Sequence, residues 1–196
     1  MNSMEKRRLL VKYFRLSHDV GLNTLMGGNM SVRIKDIILI TPSNFSKLEL
    51  SEDDVVEINM NGEVVQGNRK PSSEWRMHVE IYKRTKYDVV FHAHPPNVLA
   101  LSNSGIELDK SFSELKSYSR GVGMVPYIEP GTQELANEVA KHIEEGNDLV
   151  ILEKHGAVAV GSTIEEAFNK MEVLDMVAYV TLNTIKNRMP FHASIY

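Results

Sequence analysis

A short apolar strand that runs into two histidines and then two prolines is the feature of this sequence that most constrains its fold. Val89, Val90 and Phe91 lead into the segment His92-Ala93-His94, and Pro95-Pro96 follows directly. Proline has no backbone N–H group, so it cannot continue a strand in the middle of a sheet. We therefore predict a buried strand that ends where the two histidines lie.

Helical and strand patterns alternate along the rest of the chain. Apolar residues at helical spacing predict helices at about residues 5–20, 74–84, 133–145 and 164–187. Short apolar or alternating runs predict strands at residues 29–34, 37–41, 55–59, 63–66, 89–94, 148–152 and 157–160. Asn61-Gly62 lies between two of these strands and is a strong signal for a hairpin turn. The mixture predicts an α/β or α+β fold in which helices cover a mostly antiparallel sheet.

Composition limits both the number of domains and the kinds of partner. The chain has 196 residues and shows no repeat or linker, so we expect residues 1–196 to form a single domain. A net charge of -4 gives no broad positive field for a nucleic acid backbone. No apolar run has the length of a membrane span or a signal peptide, so we expect a cytoplasmic protein without a membrane partner.

The absence of cysteine narrows any metal site to histidine, aspartate and glutamate ligands. His92 and His94 are two positions apart on the predicted strand, so both imidazoles face the same side. His155 follows a different apolar strand and could supply a third ligand. Three such ligands with an open fourth position are typical of a catalytic metal site, although a single His-x-His pair also occurs by chance.

The other four histidines lie in helical patterns or near the end of the chain, and we interpret them as structural: His18, His78, His142 and His192. His78 lies one helical turn after Glu74 and could instead support a site there. Glu74 itself follows Ser72 and Ser73 at the start of a predicted helix. An acidic residue in this position is common as capping electrostatics alone.

Glycines and hydroxyl residues elsewhere have two interpretations. Gly27-Gly28-Asn29 precedes a strand and either forms a simple turn or presents backbone amides that can hold a phosphate. Ser43, after Thr41-Pro42, similarly either belongs to a plain turn or offers a hydroxyl and an amide to a ligand.

Five segments in this order and spacing resemble the class II aldolase and adducin family over about residues 9–182. They are GGNMSVR (27–33), TPS (41–43), PSSEWRMH (71–78), HAHPP (92–96) and EKHG (153–156). The combination is far more specific than any one segment, and it favours the functional interpretation of the residues above.

The resemblance implies an architecture and a set of site residues. It implies a three-layer α/β/α fold with a nine-stranded antiparallel sheet, and a homotetramer with active sites between subunits. It also implies one Zn²⁺ per subunit, or another divalent metal, on His92, His94 and His155. Glu74 would complete the metal shell or act as acid and base. The substrate phosphate would be held by Gly28, Asn29, Ser43, Ser72 and Ser73.

The implied activity is reversible cleavage of a ketose 1-phosphate, similar to L-fuculose 1-phosphate, into dihydroxyacetone phosphate and an aldehyde. The partner would thus be a small phosphorylated sugar. A methylthioribulose-1-phosphate-type dehydratase would use the same residues but expel water, whereas a pentulose-phosphate 4-epimerase would have an aspartate in place of Glu74. The non-enzymatic alternative is an adducin-like interaction module, which is expected to lack the three histidines.

Four features depart from the fuculose-phosphate aldolases of that family. Met26 occupies the position of a threonine in their phosphate loop, and Asn44 occupies the position of a glycine. Their catalytic tyrosine has no counterpart near residues 112–113, where Tyr118 is the nearest candidate. Their C-terminal tyrosine has no assignable counterpart before Tyr196. The residues that the resemblance implies for substrate binding therefore differ more from those aldolases than the residues that it implies for metal binding.

Overall fold

The computed structural model describes residues 2–188, with side chains up to residue 184. The helices are α1 (Ser3–Asp19), α2 (Trp75–Arg84), α3 (Pro96–Ser104), α4 (Ser113–Tyr118), α5 (Gln133–Glu144) and α6 (Ile164–Arg188). The strands are β1 (Asn29–Ile34), β2 (Ile37–Ile40), β3 (Val56–Asn59), β4 (Val64–Gln66), β5 (Val89–Ala93), β6 (Val122–Val125), β7 (Leu149–Leu152) and β8 (Gly156–Gly161). His192 and Tyr196 lie outside the described residues.

One sheet contains all eight strands in the order β4-β3-β2-β1-β5-β8-β7-β6. Neighbouring strands are antiparallel except β6 and β7, which are parallel. A mostly antiparallel sheet is confirmed, but the expectation of nine strands is wrong for residues 2–188. Directly after β2, Pro42 forms an isolated bridge with Pro71. Because proline cannot donate a backbone hydrogen bond, this bridge does not extend into a further strand.

Helices cover both faces of the sheet, which confirms the three-layer α/β/α architecture. On one face α1, α3, α4 and α6 share a core with Phe91 and Ala93 of β5. On the other face α2 and α5 share a core with Val90 of the same strand. His92 follows the alternation of Val90, so it points towards the layer that contains α2. Within the described part of the chain, no helix is both long enough and apolar enough to cross a lipid bilayer.

The position of β5 in the middle of the sheet gathers the candidate residues. It pairs with β1 so that Asn29 lies opposite His92. It also pairs with β8 so that Ala93 lies opposite Ala157, next to the turn that contains His155. Residues distant in the sequence therefore meet at the end of β5.

Candidate metal centre and active site

Three imidazole rings meet at the end of the central strands. His92 lies on β5, His94 directly follows that strand, and His155 lies in the turn between β7 and β8. The Nε2 atoms of His92 and His94 are 3.1 Å apart. One ring nitrogen from each of the three histidines lies within 4.8 Å of the others. The three histidines interpreted as ligands from the sequence are thus brought together in a group that could hold a metal ion.

The hydrogen bonding of His92 prepares its ring for a metal. Its Nδ1 lies 3.0 Å from the carbonyl oxygen of Ala157. A carbonyl can only accept, so Nδ1 carries a proton, and in the neutral ring Nε2 keeps a lone pair that a metal can share. Two nitrogens bound to one tetrahedral zinc ion at the usual distance of 2.0–2.1 Å are about 3.3 Å apart. The observed separation from His94 therefore fits a shared divalent cation.

Glu74 occupies the space beside the rings as the residue that precedes α2. Its Oε2 lies 3.2 Å from Nε2 of His92 and accepts a hydrogen bond of 2.8 Å from Nδ2 of Asn29. Its Oε1 lies 3.4 Å from Nε2 of His155. Glu74 is buried, and Oε1 accepts no hydrogen bond from any described residue. A buried carboxylate oxygen without a donor is costly, so this atom fits a place that a cation or a substrate proton would share.

Burial and mutual charge set the protonation of the cluster. Burial raises the pKa of Glu74, but the charge and hydrogen bond of His92, with help from His155, outweigh it and hold this pKa well below its ordinary value. Burial, then the charges of the neighbouring imidazoles, lower the pKa of His94 to about 3 and that of His155 to about 4. Burial lowers the pKa of His92, but the Glu74 carboxylate more than compensates and raises it. The rings of His94 and His155 are therefore held neutral, the form that binds metals.

Two glycines allow the rings to come together. A Cβ atom on Gly156 would lie 2.8 Å from Cδ2 of His94 and would also clash with the carbonyl oxygen of Ala93. A Cβ atom on Gly27 would lie 2.9 Å from Nδ1 of His94. Both positions therefore need a residue without a side chain.

The candidate phosphate-binding residues come from segments next to Glu74. Gly28, with φ of +71°, directly precedes Asn29 at the start of β1. Asn29 is buried and contacts Glu74, whereas the side chain of Ser73 is exposed. The Ser72 hydroxyl accepts from the N–H of Glu74, which lies one residue before α2.

Backbone hydrogen bonds join the remaining segments. The N–H of Ser43 donates to the carbonyl of Lys70 at 2.9 Å, and the N–H of Ser72 donates to the carbonyl of Thr41 at 3.0 Å. The turn after β2 is therefore fixed against the segment that enters α2. No described side-chain contact links Ser43 itself to the metal cluster.

Lys47 is a residue of this region that the sequence analysis missed. It is only 1% exposed, and its Nζ donates to the carbonyl oxygens of Thr24 at 2.8 Å, Leu25 at 3.3 Å and Gly27. Burial lowers the pKa of Lys47 to about 8. The side chain holds the loop that precedes Gly28. No local pattern in the sequence signals this role, because the lysine lies 20 residues from Gly27.

The residues that depart from the fuculose-phosphate aldolases lie in different structural environments. Asn44 has φ of +50°, a left-handed conformation that glycine favours and asparagine tolerates, so the backbone of this turn is retained. Met26 is exposed in the glycine loop, and Tyr118 is exposed on α4. The described contacts do not bring Tyr118 to the histidines.

An open cavity of about 480 Å³ adjoins the metal cluster and is lined by Thr24, His94, Pro96, Leu99, Lys154 and His155. Its volume lies within the usual range for small-molecule sites. A larger cavity of about 680 Å³ lies between α3 and β6 and contains none of the three histidines. Of these two cavities, the smaller one reaches candidate metal ligands, His94 and His155.

The family model for the class II aldolase and adducin N-terminal domain matches residues 8–182. The chain belongs to this family. Class II aldolases are lyases, and the three-histidine group agrees with the metal dependence of that class.

Individual relatives within the class II aldolase family are also similar over most of their length. An L-fuculose phosphate aldolase of Methanocaldococcus jannaschii is 36% identical over 91% of this chain and 96% of its own. A 5-methylthioribulose-1-phosphate/5-deoxyribulose-1-phosphate aldolase of Rhodospirillum rubrum is 35% identical over 82% of this chain and 73% of its own. A solved structure of an L-fuculose 1-phosphate aldolase has a TM-score of 0.89 at 32% identity, and covers 97% of this chain and 91% of that one. The expected resemblance to fuculose-phosphate aldolases is confirmed.

Proposed function

We propose that this protein is a zinc-dependent aldolase that reversibly cleaves a ketose 1-phosphate, similar to L-fuculose 1-phosphate, into dihydroxyacetone phosphate and an aldehyde. The observation that carries the proposal is the meeting of three imidazole rings with a buried carboxylate. Similarity to aldolases that act on such sugars supports the substrate class. In this proposal residues 1–196 act as one domain.

His92, His94 and His155 would hold one zinc ion per subunit, or another divalent metal. A bound divalent cation supplies a Lewis acid that stabilises the negative charge left on substrate oxygens when a carbon–carbon bond breaks. The rings of His94 and His155 are neutral and ready to bind, and Nε2 of His92 would bind after releasing any proton that it shares with Glu74. Replacement of His94 by alanine would remove one of three ligands, and elemental analysis should then find little bound zinc.

Glu74 would transfer the carbon-bound proton that the aldol reaction requires. In the synthetic direction a base must take a proton from the carbon next to the carbonyl group, and in cleavage the same group returns it. Glu74 lies within hydrogen-bond reach of the histidine nitrogens and is ionised, because its pKa is lowered. Its Oε1 has no described donor and is the oxygen free for this task.

The substrate phosphate would bind to amides and hydroxyls rather than to lysine. Gly28, Asn29, Ser43, Ser72 and Ser73 are the proposed contacts; Ser72 and Ser73 directly precede Glu74, and Asn29 donates a hydrogen bond to it. Lys47 would serve indirectly, since it fixes the loop that leads to Gly28.

Product analysis tests the proposal. Purified protein reconstituted with zinc would be incubated with dihydroxyacetone phosphate and a panel of aldehydes that includes lactaldehyde, acetaldehyde and methylthioacetaldehyde. We expect a ketose 1-phosphate product that disappears with a chelator and returns with zinc. The preferred aldehyde would distinguish a fuculose-type substrate from the 5-deoxy and methylthio substrates.

The alternatives give other outcomes when the protein is supplied with a ketose 1-phosphate or a pentulose phosphate instead. A dehydratase would convert a ketose 1-phosphate into a diketone phosphate without releasing an aldehyde, and a 4-epimerase would yield an epimeric pentulose phosphate. An adducin-like module would bind no zinc and convert no sugar phosphate. Any of these results would replace the aldolase proposal.

We also propose a homotetramer with sites between subunits. Its support is the family resemblance, together with apolar side chains that are exposed in the single chain, such as Met26, Tyr118, Met124 and Tyr127. Sedimentation velocity should show a species of four chains, and a monomer at micromolar concentration would contradict this assembly.

A further inference from the structure

Five buried polar side chains form one continuous line of hydrogen bonds behind the metal cluster. Asn29 Nδ2 donates to Glu74 Oε2 at 2.8 Å, and the other end of the Asn29 amide, Oδ1, contacts His78 Nε2. His78 Nδ1 lies 2.6 Å from Ser31 Oγ, which in turn lies 2.7 Å from the hydroxyl of Tyr82. Each of the five residues is at most 8% exposed.

The line results from two matching periodicities. Asn29 and Ser31 are two positions apart on β1, so their side chains point to the same face of the sheet. Glu74, His78 and Tyr82 are spaced four positions apart along α2 and its preceding residue, so they form one stripe on the helix. The stripe lies against that face of β1, and each side chain meets its partner in turn.

Only one direction of proton donation satisfies every member. Glu74 is a carboxylate and can only accept, so the Asn29 NH₂ group must face it and Oδ1 must face His78. His78 Nε2 then has to donate, which leaves Nδ1 as an acceptor. Ser31 therefore donates to Nδ1 and accepts from Tyr82. A reversal at any point would place two donors or two acceptors against each other.

We propose that Ser31, His78 and Tyr82 are positioning residues of this site, which lock the Asn29 amide as a donor to Glu74 Oε2. This inference rests on the proposed function and deepens it. With Oε2 held by Asn29, the carboxylate cannot rotate freely, and Oε1 is kept as the oxygen that exchanges the proton with substrate. His78 thus acts through Asn29 and does not touch the metal or the substrate.

Two conservative variants test the line at different distances from Glu74. Ser31→Ala removes the donor to His78, and Tyr82→Phe removes the donor to Ser31 together with a longer bond of 3.4 Å to the carbonyl oxygen of Asp88. With zinc-loaded protein and L-fuculose 1-phosphate, we expect Ser31→Ala to lower kcat roughly tenfold and Tyr82→Phe by less, as for the loss of one buried hydrogen bond. KM and zinc content should change less than twofold. Ser102→Ala, which removes a buried hydroxyl bonded only to its own helix, serves as the control and should leave kcat unchanged.

A spectroscopic readout separates this inference from the proposed function. Nitrogen NMR of labelled histidine should show His78 as the neutral tautomer protonated at Nε2, with an Nδ1 signal that shifts in Ser31→Ala. A His78 protonated at Nδ1, or an unchanged kcat in both variants of an active enzyme, would overturn the inference. If the wild type cleaves no ketose 1-phosphate, the proposed function fails, and the tautomer of His78 alone decides whether the line exists.

Discussion

At the scale of single residues, the two oxygens of Glu74 have different surroundings. Oε2 accepts from Asn29 and lies near His92, whereas Oε1 has no described hydrogen-bond donor. This asymmetry comes from residues on β1 and cannot be read from the neighbours of Glu74 in the sequence. The local sequence indicated that an anion is favoured at the start of a helix, and the family resemblance implied a role in metal binding or proton transfer, but neither distinguished the two oxygens.

Replacing Glu74 with glutamine tests its role in proton transfer. The amide keeps the size of the side chain but cannot act as a base, so turnover should fall by about a hundredfold or more. Zinc content should remain near one per chain, because the three histidines are unchanged. Steady-state kinetics and elemental analysis provide the measurements. Glu153→Gln, a nearby carboxylate paired with Lys154, is the matched control, and near-normal turnover in Glu74→Gln would remove this residue from the mechanism.

Lys47→Met tests the support of the glycine loop. The change leaves three loop carbonyls without their shared donor, so urea unfolding should show a loss of about 2 kcal/mol, in the range for unsatisfied buried groups. KM for the phosphorylated substrate should rise as the loop before Gly28 loosens. Lys110→Met removes a lysine with one described carbonyl acceptor and should cost less. Equal losses in the two variants would contradict a special role for Lys47.

At the scale of elements, the strongly periodic segments could be predicted and the short ones could not. The strand that carries His92 was predicted because its apolar run is clear, and the β3–β4 hairpin because Asn61-Gly62 is distinctive. Helix α3 was missed because Pro96 was interpreted only as the end of a strand, although proline is also favoured in the first turn of a helix. Helix α4 spans only six residues, and β6 contains a glycine, so neither has a strong local pattern.

Gly156→Ala tests how closely β8 must approach the ligands. The added methyl group would collide with His94 and with the carbonyl oxygen of Ala93. The rings must then separate, so zinc affinity measured by competition with a chelating dye should fall at least about tenfold, as for other disturbances of ligand orientation. Ala159→Gly weakens the same strand away from the rings and should retain zinc. Unchanged zinc affinity in Gly156→Ala would show that the added methyl group fits beside the rings.

At the scale of the whole molecule, the family resemblance predicted the three-layer architecture correctly but not the number of strands. The resemblance implied nine strands, whereas the described chain has eight, since the Pro42–Pro71 bridge cannot grow. Burial in the folded structure also changes the pKa of side chains, and no local sequence pattern indicates this change. His78, interpreted from the sequence as structural, is completely buried, and burial lowers its pKa to about 3.

This burial predicts an effect of acid on the stability of the metal-free protein. The unfolded chain binds a proton at His78 near its ordinary pKa of 6.5, whereas the folded chain does so only near 3. The free energy of unfolding should therefore fall as pH is lowered through this window, by up to about 1.4 kcal/mol per pH unit from this group. His94, His155 and Glu74, whose pKa values are also lowered, act in the same direction, and His92, whose pKa is raised, acts in the opposite one.

Urea unfolding of chelator-treated protein at several pH values between 6.5 and 4.5 measures the effect. His78→Phe removes the titrating group but keeps an aromatic ring, so its stability should depend less steeply on pH than that of the wild type. Identical slopes would mean that His78 takes up its proton equally in both states.

The pairing of β5 with β8 also determines when the metal can act during folding. The bond from His92 to Ala157 joins positions 65 residues apart, so the complete ligand set does not exist before these two strands meet. A cation cannot guide a chain towards a contact that has not yet formed, and non-local pairing of this kind is slow. Zinc should therefore leave the refolding rate nearly unchanged and instead slow unfolding, which would make the loaded enzyme long-lived rather than quick to fold.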